Sequence, residues 1–222
     1  MLTELAAGIG LKYSLLNETD EETLRSGMNS VIQYIWDYYP WPRLIDCYEE
    51  TLDADYTFEL VDEREDIIRI VDEDPRISAS PTQLGFTVFG DTVTVQTSDY
   101  TTVWVIYRKP CVQFIGSDYA AGTSYVAGDI VAYVDEYYRC ILASIGNAPT
   151  NVTYWQQLQI PFDWQQVIVR YTNAKFLAVD GQYDKSSAEE AKAVSLLDQV
   201  LDKVACQQKQ FTQPSIITYQ SN

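Results

Sequence analysis

The sequence predicts an α+β protein: a small antiparallel helical bundle core, made of an N-terminal helix plus a C-terminal αα-hairpin, with a long β-rich insertion and an extended C-terminal tail. Three observations predict it. Apolar residues recur at helical spacing in two regions far apart in the chain, before residue 45 and after residue 161. Between those regions the period falls to two, punctuated by Gly, Asp and Pro. After Cys206 no period remains. The expected divisions are residues 1–45 with 161–206 for the helical core, 46–110 for an acidic antiparallel β segment, 111–160 for a small β module and 207–222 for the tail.

The first strong helix is expected near Thr19, where Thr19 and Glu22 have the spacing of a capping box. Leu24, Met28, Val31, Ile35 and Tyr38 follow at steps of four and three, and Pro40 and Pro42 end the run. A shorter helix over Leu2 to Ile9 can precede it. From Cys47 to Lys109, Phe86 and Val88, Val93 and Val95, and Val103, Val105 and Tyr107 alternate with polar partners, with turns at Gly90-Asp91 and Ser98-Asp99. In the module, Val131 and Tyr133, then Tyr138, Cys140 and Leu142, flank a turn at Asp135-Glu136. Helix returns at Asp163, read as an N-cap, with Trp164, Val167, Tyr171, Ala174 and Ala178 on one face and Gly181 as a left-handed stop. A second capping box, Ser187 with Glu190, opens a last helix with Val194, Leu197, Leu201 and Val204 inward.

Composition narrows the function. The 222 residues include 32 acidic and 15 basic side chains, a net charge of -17, which disfavours nucleic-acid binding through a basic face. Thirteen of the acids fall between Asp46 and Asp74, against Arg64 and Arg69. They form either a solvated face or a surface that passes close to DNA without holding it. Histidine is absent, so Ser-His-Asp and Cys-His nucleophiles and imidazole metal sites are excluded. Cys47, Cys111, Cys140 and Cys206 form no CxxC pair and read as free thiols.

No apolar run is long enough for a membrane span. Met1 to Leu16 carries Glu4 before any basic residue and reads as mature sequence rather than a secretory signal. Asp53-Ala-Asp55 looks like the start of a calcium loop, but Phe58 and Arg64 stand where Gly and Glu are needed. No phosphate-binding Gly motif occurs. Neither metal, cofactor nor enzymatic activity is expected.

The most specific motif runs from Tyr125 to Trp155. Tyr125-Val-Ala-Gly-Asp-Ile-Val-Ala-Tyr133, then Tyr137-Tyr-Arg-Cys140, Gly146, Pro149 and Trp155, resembles the chitin-type carbohydrate-binding modules. The resemblance implies a tiny β unit with an aromatic core. It makes Tyr138 or Trp155 a glycan-stacking platform, unless both belong to that core. A carbohydrate-binding or host-attachment role is the alternative function it supports.

The ends carry a second resemblance. Asn29 to Leu44, with its aromatic run Tyr34-Ile-Trp-Asp-Tyr-Tyr-Pro-Trp-Pro-Arg-Leu44, is similar to the N-terminal helix and exit of head–tail adaptor (connector, neck) proteins of tailed bacteriophages. The region 163–210, with Val179-Asp-Gly-Gln182 and its Gln-rich end, resembles their closing helices.

That likeness implies a structural virion protein, assembled in the host cytoplasm, that forms a homo-oligomeric ring, a dodecamer, at the head–tail interface. The ring docks on the portal protein, meets a downstream tail or neck protein, and forms part of the DNA channel. Portal binding then falls to the tail, on Gln207, Gln208, Gln210, Phe211, Pro214, Ile216, Ile217 and Tyr219. Asp62, Glu63, Glu65 and Asp66 become the acids that face the channel.

Overall fold

The computed structural model describes residues 18–60, 66–97, 99–134 and 136–212, with side chains omitted at 18–20 and 207–212. The chain divides into two compact units, Trp36–Cys111 and Met1–Ile35 with Val112–Asn222. The helical bundle expected as the core of the fold is not its core. The protein is α+β but β-rich, and its largest element is a curled six-stranded antiparallel sheet with a core of its own.

That sheet fills the unit Trp36–Cys111. Its strands are β1 (Ile45–Thr51), β2 (Thr57–Glu59), β3 (Asp66–Val71), β4 (Gln83–Phe89), β5 (Thr92–Gln96) and β6 (Thr102–Arg108), in the order β1-β6-β3-β4-β5-β2. β1 and β2 are the two edges, yet only Leu52 to Tyr56 lie between them in sequence. Leu52 N–H bonds to Thr101 O at 2.8 Å, and Val95 N–H bonds to Tyr56 O at 2.9 Å. The sheet must therefore curl until its edges nearly meet.

Alternation decides what goes inside. Val93, Val95, Val103 and Val105 project inward with Phe58, Ile70, Leu84 and Leu52, while Thr92, Thr94 and Gln96 face out. All six strands or their flanking turns thus contribute to one interior, which is why this region needs no helix to cover it. Phe86 packs against this core, but Val88, expected inward, is 47% exposed. The β4–β5 hairpin has already run past the interior there, toward its Gly90-Asp91 turn.

The other unit carries the helices α1 (Glu18–Tyr38, of which the residues to Ile35 belong here), α2 (Phe162–Val179) and α3 (Tyr183–Thr212). On α1, Leu24, Met28, Val31, Ile32 and Ile35 are buried, and Gly27 lets α2 approach until Thr172 lies beside it. α2 begins one residue before the expected cap. Pro161 holds the N-cap position and Asp163 sits in the first turn, where its charge suits the helix dipole.

Gly181 adopts φ +75, and Gln182 N–H reaches Leu177 O while Gly181 N–H reaches Ala178 O. This pair of bonds is a Schellman ending. It delivers the chain straight into α3, which starts at Tyr183, so Ser187 and Glu190 lie inside the helix rather than capping it.

The buried stripe of α3 is Ala193, Leu197, Val200 and Val204. Val194 and Leu201, expected inward, are respectively exposed and half-buried. Small Ala193 and the β-branched Val200 permit a closer approach of α2, turning the helix by one residue.

The module packs in the same unit. β8 (Ile130–Tyr133), β9 (Glu136–Cys140) and β11 (Trp155–Gln157) form one sheet in the order β11-β9-β8, and β7 (Ser124–Tyr125) pairs with β10 (Ser144–Ile145). Tyr125, Val131, Cys140 and Trp155 form its core. Asn29 of α1 grips the segment leading into it, donating to Phe114 O at 3.2 Å and accepting from Phe114 N–H at 2.8 Å.

The expected extended tail is corrected in part. α3 continues through Thr212, carrying Gln207, Gln208, Gln210 and Phe211 on helical backbone. Ala, Gln and Lys, which make up most of residues 203–210, are strong helix formers and favour this continuation. The helix expected over Leu2 to Ile9 and the remainder of the tail lie outside the described residues.

Candidate functional site

In the helical unit the three helices enclose a groove of about 440 Å³. α1 contributes Val31 and Tyr34, α2 contributes Tyr171, Ala174 and Lys175, and α3 contributes Ser186 and Glu190. Its floor is apolar, since Val31, Ala174 and Tyr171 are all buried. Tyr34 meets Tyr171 edge-on at 5.6 Å between ring centroids, which fixes both rings at the wall. Lys175 Nζ bonds to Ser30 Oγ at 2.6 Å, and Ser186 donates to Ala174 O at 2.8 Å. The hairpin is pinned further along by Glu189, which takes Arg170 and Lys192 at 2.7 Å each. Those two cations hold its carboxyl below the usual range.

The acidic unit is organised by its carboxylates more than it displays them. Asp53 accepts from Asp55 N–H, Thr57 N–H and the Thr57 hydroxyl at 3.0, 2.7 and 2.7 Å, and these donors lower its pKa. The residue that suggested a cation loop instead ties the turn joining the two edges of the sheet. Asp72 accepts from Thr82 N–H and from the Tyr100 hydroxyl, and Asp74 holds Arg76, whose guanidinium lies over Trp104 at 4.7 Å.

The edge strand β1 shows the same economy. Its register with β6 turns the N–H groups of Ile45, Cys47, Glu49 and Thr51 away from the sheet. Ile45 N–H is taken by Pro42 O, Cys47 N–H by the Asp46 carboxylate at 2.9 Å, and Thr51 N–H by the Glu50 carboxylate at 3.3 Å. Three of the four outward donors are thus occupied from within β1 or the turn before it, and negative charge lines the edge, which blocks pairing with another strand.

Of the four acids assigned to a channel, Asp62, Glu63 and Glu65 lie outside the described residues. Asp66 opens β3 directly opposite Arg108 and bonds its Nε at 2.6 Å. Arg108 also reaches Asp37 at 3.5 Å, so Asp66 belongs to an ion-pair cluster.

Of the two candidate sugar platforms, Trp155 is hidden from solvent and Tyr138 is partly exposed. Trp155 is 1% exposed, packs against Tyr125 and Tyr119, and donates its indole N–H to Asn147 O at 3.0 Å. Tyr138 is half-buried against the same core and meets Tyr133 edge-on. Of the tail residues, Gln207, Gln208, Gln210 and Phe211 sit on the last turns of α3, while Pro214, Ile216, Ile217 and Tyr219 lie outside the described residues.

Sequence reading missed the groove because its residues are contributed one or two at a time by three helices. Tyr34 and Lys175 are the signal available beforehand, an aromatic and a cation flanking otherwise apolar helix faces. Among the described residues, no helix is long and apolar enough to cross a membrane. None of the described residues form a group of three or more acidic, Cys or His side chains suited to a metal. The four cysteines form no disulfide, and burial raises the thiol pKa of Cys47 and Cys140. No protein-family model matches the chain, and no curated protein matches its sequence.

Proposed function

We propose that this chain is a structural, non-catalytic protein of a tailed-phage virion, an adaptor whose homo-oligomeric ring docks on the portal and joins the head to the tail. The observation that carries the reading is that the helical start of the first adaptor-like segment, residues 29–35, shares one compact unit with the second, residues 163–210, while the rest of the first, residues 36–44, opens the other unit. α3 is packed in the unit they share as far as Val204, and its last eight residues, 205–212, make an end arm of roughly 12 Å at ~1.5 Å per residue. That arm ends on Gln207, Gln208, Gln210 and Phe211, and the tail that follows it carries Ile216, Ile217 and Tyr219.

Docking through a ring multiplies weak contacts, so each arm needs little affinity of its own. Native mass spectrometry of the chain mixed with its portal protein tests the reading. A complex with a fixed, equal number of copies around the portal is expected. Two components that never associate would overturn it.

A further inference from the structure

The helical unit carries a knob at one end and a hole at the other. Phe162, the first residue of α2, is 82% exposed although it is among the largest apolar side chains of the chain. It does not sit on a loose loop: Pro161 precedes it at the N-cap, and Trp164 and Val167 anchor the same turns of α2 in the interior. The groove lies toward the opposite end of α2, at Tyr171, Ala174, Lys175 and Ala178, and measures about 440 Å³. A cavity of ~150 Å³ already accepts a benzene ring, so a benzyl side chain fits with room for its neighbours.

Between Phe162 and Ala178 run 16 residues of one helix, about 24 Å at ~1.5 Å per residue. No copy can place its own Phe162 in its own groove. Charge agrees with the pairing. Phe162 is flanked by exposed Asp163 and, one turn on, by exposed Gln166, whereas the groove is rimmed by Lys175 on one side and Glu190 on the other. Asp163 suits Lys175, and the Gln166 amide can donate to Glu190.

We infer that Phe162 of one copy seats in the α1–α2–α3 groove of a second copy, with Asp163 against Lys175. Knob and hole are different patches, so the contact is head-to-tail and propagates until a ring closes. This inference rests on the ring reading above, but its test does not involve the portal.

The test is sedimentation of the full chain from micromolar to about millimolar concentration, with Phe162→Ala and Ala178→Trp as variants. Ala178→Trp fills the groove from its wall, and retained far-UV dichroism and melting temperature certify the fold of each variant. The wild type is expected to self-associate, and each variant alone to lose at least tenfold in affinity. The two variants mixed should form a one-to-one dimer that grows no further, because the knob of Ala178→Trp still fits the groove of Phe162→Ala.

A wild-type chain that stays monomeric throughout, or variants that associate like wild type, would overturn the pairing. Self-association of this pattern without portal binding would leave the pairing standing and end the adaptor reading. Portal binding by a chain whose variants also assemble normally would do the reverse.

Discussion

Gly116 offers a sharp quantitative test of the packing in the module. It adopts φ +123, and a Cβ built there would lie 2.1 Å from Ile130 O and 2.8 Å from its carbon. Both atoms are backbone, so nothing flexible can yield. The next residues cross β8 by main-chain bonds, Ala132 N–H to Ser117 O at 3.0 Å and Tyr119 N–H to Ala132 O at 2.8 Å. Gly116→Ala must therefore push this segment off the strand. The positive φ costs about 1–2 kcal/mol for a non-Gly residue, and losing two main-chain bonds costs about 1 kcal/mol each. Against this, alanine lowers the entropy of the unfolded chain by roughly 0.4–1 kcal/mol.

The net loss for Gly116→Ala is about 2–3.6 kcal/mol. At ~2–4 °C per kcal/mol for a chain of this size, melting should fall by roughly 4–14 °C. Gly122→Ala is the control, since nothing lies within 4 Å of its Cβ and it has no positive φ. Its melting temperature should hold or rise slightly. Calorimetry on both variants checks this, and a Gly116→Ala transition within about 1 °C of wild type would refute the placement of this segment against β8.

Three further outcomes follow from the same geometry. Asn29→Ala removes both bonds to the buried Phe114 backbone, so urea unfolding should show a loss of about 2–3 kcal/mol, and a loss below 0.5 would mean that the grip is not formed. The Asp53 carboxyl is held below its ordinary pKa by Thr57 and Asp55. Its contribution is therefore full above about pH 4 and lost as pH falls through the lowered value; Asp53→Asn should lose less stability than wild type between pH 5 and pH 2.5, and equal losses would count against the turn. Removing both edge carboxylates, Asp46→Ala with Glu50→Ala, should free the outward amides of β1 and speed aggregation at 37 °C, followed by light scattering; an unchanged rate would show that the edge is protected by something else.

What could be read beforehand depended on the range of the interaction that fixes it. The stripe of α1 as far as Ile35 and the Gly181 ending of α2 rest on local spacing, so their signals survive in a single sequence, whereas Tyr38, expected on the same stripe, is exposed. The start of α3 was obscured because Ser187 and Glu190 imitate a cap that the Schellman turn makes unnecessary. Its stripe was displaced by one residue because Ala193 and Val194, and Val200 and Leu201, are adjacent apolar pairs that periodicity alone does not separate.

The dominance of the sheet was not legible. It depends on Leu52 meeting Thr101 and Tyr56 meeting Val95, pairings between residues some 40 to 50 apart. The acidic stretch read as a surface property, whereas Asp53, Asp72 and Asp74 are placed by individual turn amides and side chains. In the module, Trp155 announced itself by type and position, but only its burial shows which way the ring faces.

The proposed role is tested most directly on particles. Tailless, DNA-filled heads that carry the portal are mixed with the purified chain and separated on a density gradient, and the copies of chain that migrate with the heads are counted. The adaptor reading predicts co-sedimentation at a fixed, saturable number per head, lost when the chain is truncated after Gln210. An intact chain that remains at the top of the gradient, at any excess over heads, would contradict it.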